Sequence, residues 1–183
     1  MCSLGNQEKI HFLILVVCNL FFCVFYNLPP LRLKTKLFGA EVTIVWLFFS
    51  YVRLPHLLIT RNLSWIDCIT DFPGHFLSIW AIFINLYVDT EEDKRDGSFS
   101  SAIYLGDTVS KFLIITLPIL SYSLAINNAL KNNNIYYCLP LLSVPMIFNV
   151  IALALKKQKK AKPGYFKFLW IFNMLSAVGI LLN

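Results

Sequence analysis

An acidic stretch at residues 85–98, NLYVDTEEDKRDGS, holds seven charged residues out of fourteen, although only 14% of the whole chain is charged. Four of its carboxylates share a helical spacing of i, i+3, i+4 and i+7: Asp89, Glu92, Asp93 and Asp96. A helix that continues through them places all four on one face. Crowded carboxylates repel one another unless a cation lies between them, and Mg2+ typically binds one or two carboxylates together with substrate phosphates. The spacing therefore indicates half of a magnesium site.

The two cations of the same stretch suit a phosphate ligand. Lys94 and Arg95 lie between Asp93 and Asp96, and ammonium and guanidinium groups make strong hydrogen bonds to phosphate oxygens. The alternative is a solvated charged loop between two membrane spans, which the charge pattern alone favours.

A basic stretch at residues 26–36, YNLPPLRLKTK, offers a second set of cations. Arg32, Lys34 and Lys36 alternate along the chain, and on an extended backbone alternate side chains point to one side. The alternative is a positively charged membrane anchor. If the basic and acidic stretches lie on the same membrane face, they suit a magnesium–diphosphate substrate, with carboxylates on the metal and cations on the phosphate.

A third polar cluster has the spacing of metal ligands on a helix, but the helix itself is interrupted. Asp67, Asp71 and His75 follow each other at i, i+4 and i+8, which would align them on a helix. Pro73 and Gly74 interrupt that helix. An interfacial cap with Asp71 as its N-cap is therefore the better interpretation.

A fourth cluster, KKQKKAK at residues 156–162, follows an apolar run directly. A lysine run beside a membrane span attracts anionic lipid headgroups. Membrane orientation and lipid contact are its expected roles, rather than catalysis.

Composition identifies the elements that must position these groups. The chain has 183 residues, of which 57% are hydrophobic and 15% aromatic. Several apolar runs are long enough to cross a bilayer. The sequence therefore predicts an all-α polytopic transmembrane helical bundle forming one membrane-embedded domain over residues 1–183. The expected six spans are 10–28, 38–54, 72–88, 109–130, 135–155 and 165–182.

The distribution of lysine and arginine predicts the orientation of these spans. With the N-terminus outside, twelve Lys and Arg residues fall on the inner side and four on the outer side. The positive-inside rule then places the basic, acidic and KKQKKAK loops in the cytoplasm, with both termini outside. The net charge of +6 has this explanation, so a nucleic-acid partner is not indicated.

Two of these motifs together resemble the UbiA-type family of membrane prenyltransferases. That family often has a span ending in a pattern like Y-S-x-P-P-L-R-L-K, and this chain reads YNLPPLRLK. It also has an aspartate-rich motif like D-x-x-x-D-R-x-x-G followed by a stretch ending in L-G. This chain reads DTEEDKRDG and then SFSSAIYLG. The separation of about sixty residues, with two predicted spans between, is also similar.

The resemblance implies a nine-span helical fold and transfer of a prenyl group from a prenyl diphosphate to an aromatic or lipid acceptor. It implies Mg2+ held by two aspartate-rich motifs. This chain resembles the last six of the nine spans, and a first motif of the form N-x-x-x-D-x-x-x-D has no counterpart in it. We therefore expect a truncated chain, one part of a split enzyme, or a degenerate relative. We expect it to be inactive alone and to need a partner chain that supplies the missing N-terminal spans.

The resemblance also assigns roles to individual residues. It implies that Asp89 and Asp93 bind magnesium and that Arg32, Lys34 and Lys94 bind the diphosphate. Tyr26 would lie close to the reacting prenyl carbon, so Tyr26 and Lys34 are the expected catalytic residues. Metal and cations would stabilise the leaving diphosphate, and apolar spans would enclose the prenyl chain.

The second motif departs from the family pattern at two positions. Leu86 stands where an aspartate is common, and Glu92 stands where glycine is usual. The alternative function is a non-catalytic polytopic membrane protein, such as a small transporter or an assembly subunit. A transporter should carry polar residues deep in its spans, and Glu41, Asn127 and Asn149 are the few candidates.

Overall fold

The computed structural model describes residues 5–61, 73–97 and 99–182, and within these ranges the chain is helical with no β-strand. The all-α prediction is confirmed. Asp67 and Asp71 of the third polar cluster lie outside the described residues. The helices are α1 (Asn6–Asn27), α2 (Gly39–Thr60), α3 (Gly74–Val88), α4 (Thr90–Arg95), α5 (Ser101–Lys131), α6 (Val144–Leu155) and α7 (Ala161–Leu181). Short 3-10 helices occupy Leu33–Thr35 and Ile135–Ser143.

Each of the six predicted spans overlaps helical residues. Among the described residues, α1, α5 and the segment Ile135–Leu155 are long and apolar enough to cross a membrane, and α3 is a shorter apolar helix. The structure departs from the predicted spans in several places; for example, α2 extends to Thr60 instead of residue 54. The fifth span begins as a 3-10 helix instead of an α-helix. Helix α5, which contains the fourth predicted span, begins at Ser101 and is broken at Gly106, where φ is 75° and ψ is 173°.

The chain forms two compact units, residues 1–69 and 70–183. In the first unit, α1 packs against α2. The hydroxyl of Ser50 donates to Oδ1 of Asn19 at 2.6 Å, and the rings of Phe22 and Trp46 lie 5.9 Å apart. Many apolar side chains of α1 remain exposed, which is typical of a helix that spans a membrane.

In the second unit, α3 is the buried centre. Its side chains Leu77, Trp80, Ile84 and Tyr87 are almost fully buried, and their spacing follows the helical repeat. They pack between α5 and α7. The ring of Phe168 on α7 meets Trp80 edge-on, with ring centroids 5.5 Å apart.

One side-chain hydrogen bond replaces a backbone hydrogen bond that is missing from α5. Pro118 lies inside this helix and has no N–H to donate to the carbonyl of Ile114, four residues earlier. The indole Nε1–H of Trp80 donates to that carbonyl at 2.8 Å. A buried carbonyl without a partner is costly, most of all in a membrane. Trp80 therefore stabilises both the core and the proline kink.

We expect Trp80→Phe to lower the free energy of unfolding by about 1–3 kcal/mol, because it leaves the Ile114 carbonyl without a donor. In a Pro118→Ala background the backbone N–H at position 118 is restored, so the same substitution should cost less. Thermal unfolding in detergent of the four proteins of this cycle measures the difference. Equal costs in both backgrounds would show that only ring packing matters.

Candidate functional site

The acidic stretch lies where α3 ends and α4 begins. Asp89 leaves helical geometry, with φ at −89° and ψ at 0°, yet hydrogen bonds of helical register cross this position. The N–H of Asp89 donates to the carbonyl of Asn85 at 3.2 Å, and the N–H of Asp93 donates to that of Asp89 at 2.9 Å. The expected continuous helix is thus interrupted at Asp89 and ends at Arg95. Asp89 and Asp93 remain one helical turn apart.

The lysine segment, residues 156–162, pairs with this acidic helix. The ammonium of Lys162 donates to both carboxylate oxygens of Asp89, at 2.7 and 2.5 Å. Lys159 pairs with Glu92. Sequence reasoning assigned the segment to lipid headgroups and missed these contacts. The available signal was the predicted placement of both loops on one membrane face, which would allow a lysine run to meet an acidic run.

Lys157 connects the lysine segment to three side chains. Its ammonium donates to Oγ1 of Thr90 at 3.0 Å and lies 3.4 Å from the carboxylate of Glu91. It also lies 5.1 Å from the ring centroid of Tyr87, a distance suited to a cation–π contact. The hydroxyl of Tyr87 in turn donates to Asp107 at 2.7 Å. Helices α3, α4 and α5 therefore share one polar network with the lysine segment.

The pKa values of Glu91 and Glu92 are lowered, which favours their ionised carboxylates. The charge of Lys94, with Lys157 adding to it, lowers the pKa of Glu91. The hydrogen bond from Lys159 lowers the pKa of Glu92, and Glu92 raises the pKa of Lys159 in return. These groups are exposed, so solvent screens their interaction.

The pKa of Asp93 is shifted in the opposite direction. Burial raises the pKa of its carboxyl group above the usual range, and the charges of Asp89 and Asp96 raise it further. Ser100 and Lys162 oppose this rise. The ionised carboxylate is therefore destabilised, and a cation brought beside it would relieve that cost.

The donor set fits a magnesium ion that takes most of its ligands from elsewhere. In the part of the chain that the structure describes, no three His, Cys, Asp or Glu side chains converge to hold a metal. Asp89 and Asp93 supply two partly buried carboxylates, which is the usual protein contribution when substrate phosphates and water complete the shell of Mg2+. Both carboxylate oxygens of Asp89 accept hydrogen bonds from Lys162.

A small cavity lies beside α4. Its polar lining comes from Tyr87, Thr90, Lys94, Asp107 and Lys157. Gly106, the residue at which α5 is broken, lines the same cavity. Lys94, one of the expected diphosphate residues, is exposed, and its ammonium lies 3.6 Å from Glu91. Asp89, Asp93 and Lys94 are thus together in the second unit.

The remaining expected site residues lie in the first unit. Tyr26 is half-buried in the last turn of α1, and Lys34 is exposed in the 3-10 helix. Arg32 has a left-handed backbone, with φ at 42°. The alternating extended chain expected for this loop is wrong, because a left-handed residue followed by a 3-10 helix does not place alternate side chains on one side.

The basic loop is closed by a tight approach at Gly39. A Cβ atom at this position would lie 2.1 Å from the carbonyl oxygen of Leu33, and the N–H of Gly39 donates to the carbonyl of Lys36 at 2.9 Å. Only glycine leaves room for this contact. Gly39 therefore fixes the shape of the loop that presents Arg32 and Lys34.

The comparisons with known proteins agree with these motifs. The model of the UbiA prenyltransferase family matches residues 4–173, a range that includes the acidic helix, the basic loop and the lysine segment. No curated protein and no solved structure matches the chain.

We expect Asp93→Asn to raise the melting temperature of the ligand-free protein at pH 7. A carboxyl whose folded pKa is raised stabilises the fold below its unfolded pKa and loses that contribution as pH rises through the folded value. The gain from the amide should therefore disappear below about pH 4. Thermal unfolding in detergent across this pH range tests it.

Glu92→Gln is the matched control, because its carboxylate is stabilised by Lys159 and its pKa is lowered. This variant should not gain stability at pH 7. A loss of stability in Asp93→Asn equal to that in Glu92→Gln would contradict the account of Asp93.

Proposed function

Because the chain belongs to the UbiA prenyltransferase family, we propose that it moves a prenyl group from a prenyl diphosphate to an aromatic or lipid acceptor. The observation that carries the proposal is the pair of partly buried carboxylates, Asp89 and Asp93, inside the family match. Members of this family generally use a divalent metal. The chain is an integral membrane protein, as its apolar helices and its family indicate.

The proposed site contains two kinds of charged residue: carboxylates that would bind the metal and cations that would bind the diphosphate. Asp89 and Asp93 would hold Mg2+, which when bound offsets the negative charge that develops on the departing diphosphate. Arg32, Lys34 and Lys94 would hold the phosphate oxygens through charge-assisted hydrogen bonds. These contacts strengthen as charge builds up on the leaving group, so they favour ionisation of the allylic carbon–oxygen bond.

Tyr26 has a separate proposed role, beside the reacting prenyl carbon. A phenol ring presents a negative face to a developing allylic cation. Its position near the end of an apolar helix, α1, suits a boundary between the prenyl chain and the charged headgroup. Lys34 is proposed as the second catalytic residue, because it would contact the departing phosphate.

The same proposal includes a membrane orientation. The basic loop, the acidic helix and the lysine segment would share the cytoplasmic side, with both termini outside, since this arrangement satisfies the positive-inside rule. A water-soluble diphosphate headgroup and its metal then reach the site from the cytoplasm, and the prenyl chain stays among apolar helices.

A non-catalytic membrane protein is the second candidate function. The observation in its favour is that Asp89, Glu91 and Glu92 each meet a lysine of the chain itself. A closed set of ion pairs can serve structure alone, as in a small transporter or an assembly subunit.

We expect the double substitution Asp89→Asn and Asp93→Asn to weaken magnesium-dependent binding of geranyl diphosphate by about tenfold or more, or about 1.4 kcal/mol. The physical reason is the loss of both carboxylate ligands to the metal. Isothermal titration calorimetry in detergent, with and without Mg2+, measures the change. Asp96→Asn, an exposed carboxylate of the same stretch, is the control and should bind normally. Unchanged binding in the double variant would favour the non-catalytic function.

The first aspartate motif of the family pattern is proposed to come from a partner chain that also supplies further spans. With one metal motif instead of two, the isolated chain should give little prenyl transfer. A magnesium-dependent transfer assay on the purified chain, with radiolabelled prenyl diphosphate and a panel of aromatic and lipid acceptors, tests this. Robust turnover by the isolated chain would refute the need for a partner.

A further inference from the structure

The contact between Lys162 and Asp89 places a cation where the proposed metal would act. The two carboxylate oxygens of Asp89 both accept hydrogen bonds from the one ammonium group, at 2.7 and 2.5 Å. Each carboxylate oxygen keeps a further lone pair, but a metal ion bound at Asp89 would lie beside the ammonium of Lys162, and the two cations would repel each other. Binding of the metal alone is therefore opposed while Lys162 stays on Asp89.

The burial of this pair makes the displacement of Lys162 costly unless a new anion arrives. The side chain of Lys162 is 29% exposed and that of Asp89 is 21% exposed, so both side chains are partly buried. Separating one partner of such a pair leaves an uncompensated charge, which destabilises the protein. A metal that arrives together with a diphosphate brings both replacements, a cation for Asp89 and an anion for Lys162.

The surroundings of Lys162 suit a phosphate group more than a single carboxylate. The segment holds five lysines within residues 156–162, and Lys157 and Lys159 also lie against α4. Lys162 occupies the first turn of α7, where the positive end of the helix dipole favours anions. Several ammonium groups around one place match the several oxygens of a diphosphate.

We propose that Lys162 is a diphosphate-binding residue that occupies Asp89 in the metal-free protein and moves to the phosphate when the metal and diphosphate bind. The inference rests on the proposed function. It adds Lys162 to the site and assigns this residue a ligand, the phosphate oxygens of the prenyl diphosphate. Lys162 would thereby disfavour binding of the metal alone and favour binding of the metal with its substrate.

The test uses two ligands for which Lys162→Gln should have opposite effects. Binding of geranyl diphosphate with Mg2+ should weaken about tenfold, because one cationic contact to phosphate is lost. Binding of Mg2+ alone should become tighter, because no ammonium competes for Asp89. Titration calorimetry of the full chain in phosphatidylcholine nanodiscs measures both.

Two further variants separate a specific contact from general charge and from folding. Lys160→Gln removes the same charge from an exposed lysine of the same run and should change neither affinity by more than about twofold. Lys162→Arg keeps the charge and should retain most of the diphosphate affinity. Equal effects in Lys160→Gln and Lys162→Gln would overturn the proposal.

The remaining outcomes distinguish this inference from the proposed function. If the unaltered chain fails to bind geranyl diphosphate with Mg2+, the proposed function fails and the inference fails with it. If the unaltered chain binds and Lys162→Gln binds equally well, the inference alone is wrong. Weakening of both ligands in Lys162→Gln would identify a purely structural ion pair and would also overturn it.

A lipid headgroup offers the same phosphate chemistry, so the titrations are repeated in nanodiscs that contain phosphatidylglycerol. A defect of Lys162→Gln that persists in both lipids supports a diphosphate site. A defect confined to the anionic nanodiscs would assign Lys162 to lipid instead and overturn the proposal.

Discussion

The ion pairs between the acidic helix α4 and the lysine segment organise the polar end of the second unit. They join the end of α3 to the start of α7, two helices that are adjacent in the core and far apart in sequence. The same pairs neutralise carboxylates that would otherwise repel one another. Because Lys162 and Asp89 form a partly buried ion pair, the position of the proposed metal ligand depends on a lysine more than seventy residues away.

The sequence was sufficient to predict the helical membrane architecture, because long apolar runs have few alternatives in a bilayer. It could not predict where helices deviate. The break at Asp89, the 3-10 start of the fifth span and the interruption at Gly106 arise from local backbone geometry. The conformation of the basic loop could not be predicted from the sequence either. The close approach of Leu33 to Gly39 turns a pattern that suggested an extended chain into a compact turn.

The candidate site was predictable as a set of residues and not as a set of contacts. The sequence alone shows that Asp89 and Asp93 have helical spacing and lie in a motif that resembles the family pattern. Their electrostatics could not be predicted from it, since Asp93 owes its raised pKa chiefly to burial. The role of the lysine segment was missed for a related reason. A lysine run beside a span has an adequate explanation in lipid contact, and only the fold shows which carboxylates it meets.

The hydrogen bond from Trp80 to the carbonyl of Ile114 links two sequence positions that can vary among related chains. An indole at position 80 and a proline at position 118 form a single functional pair, because one supplies the donor that the other removes. A relative without proline at the second position gains a backbone donor and loses one reason to keep the indole. Substitutions at these two positions should therefore be correlated among related chains, although 38 residues separate them in sequence.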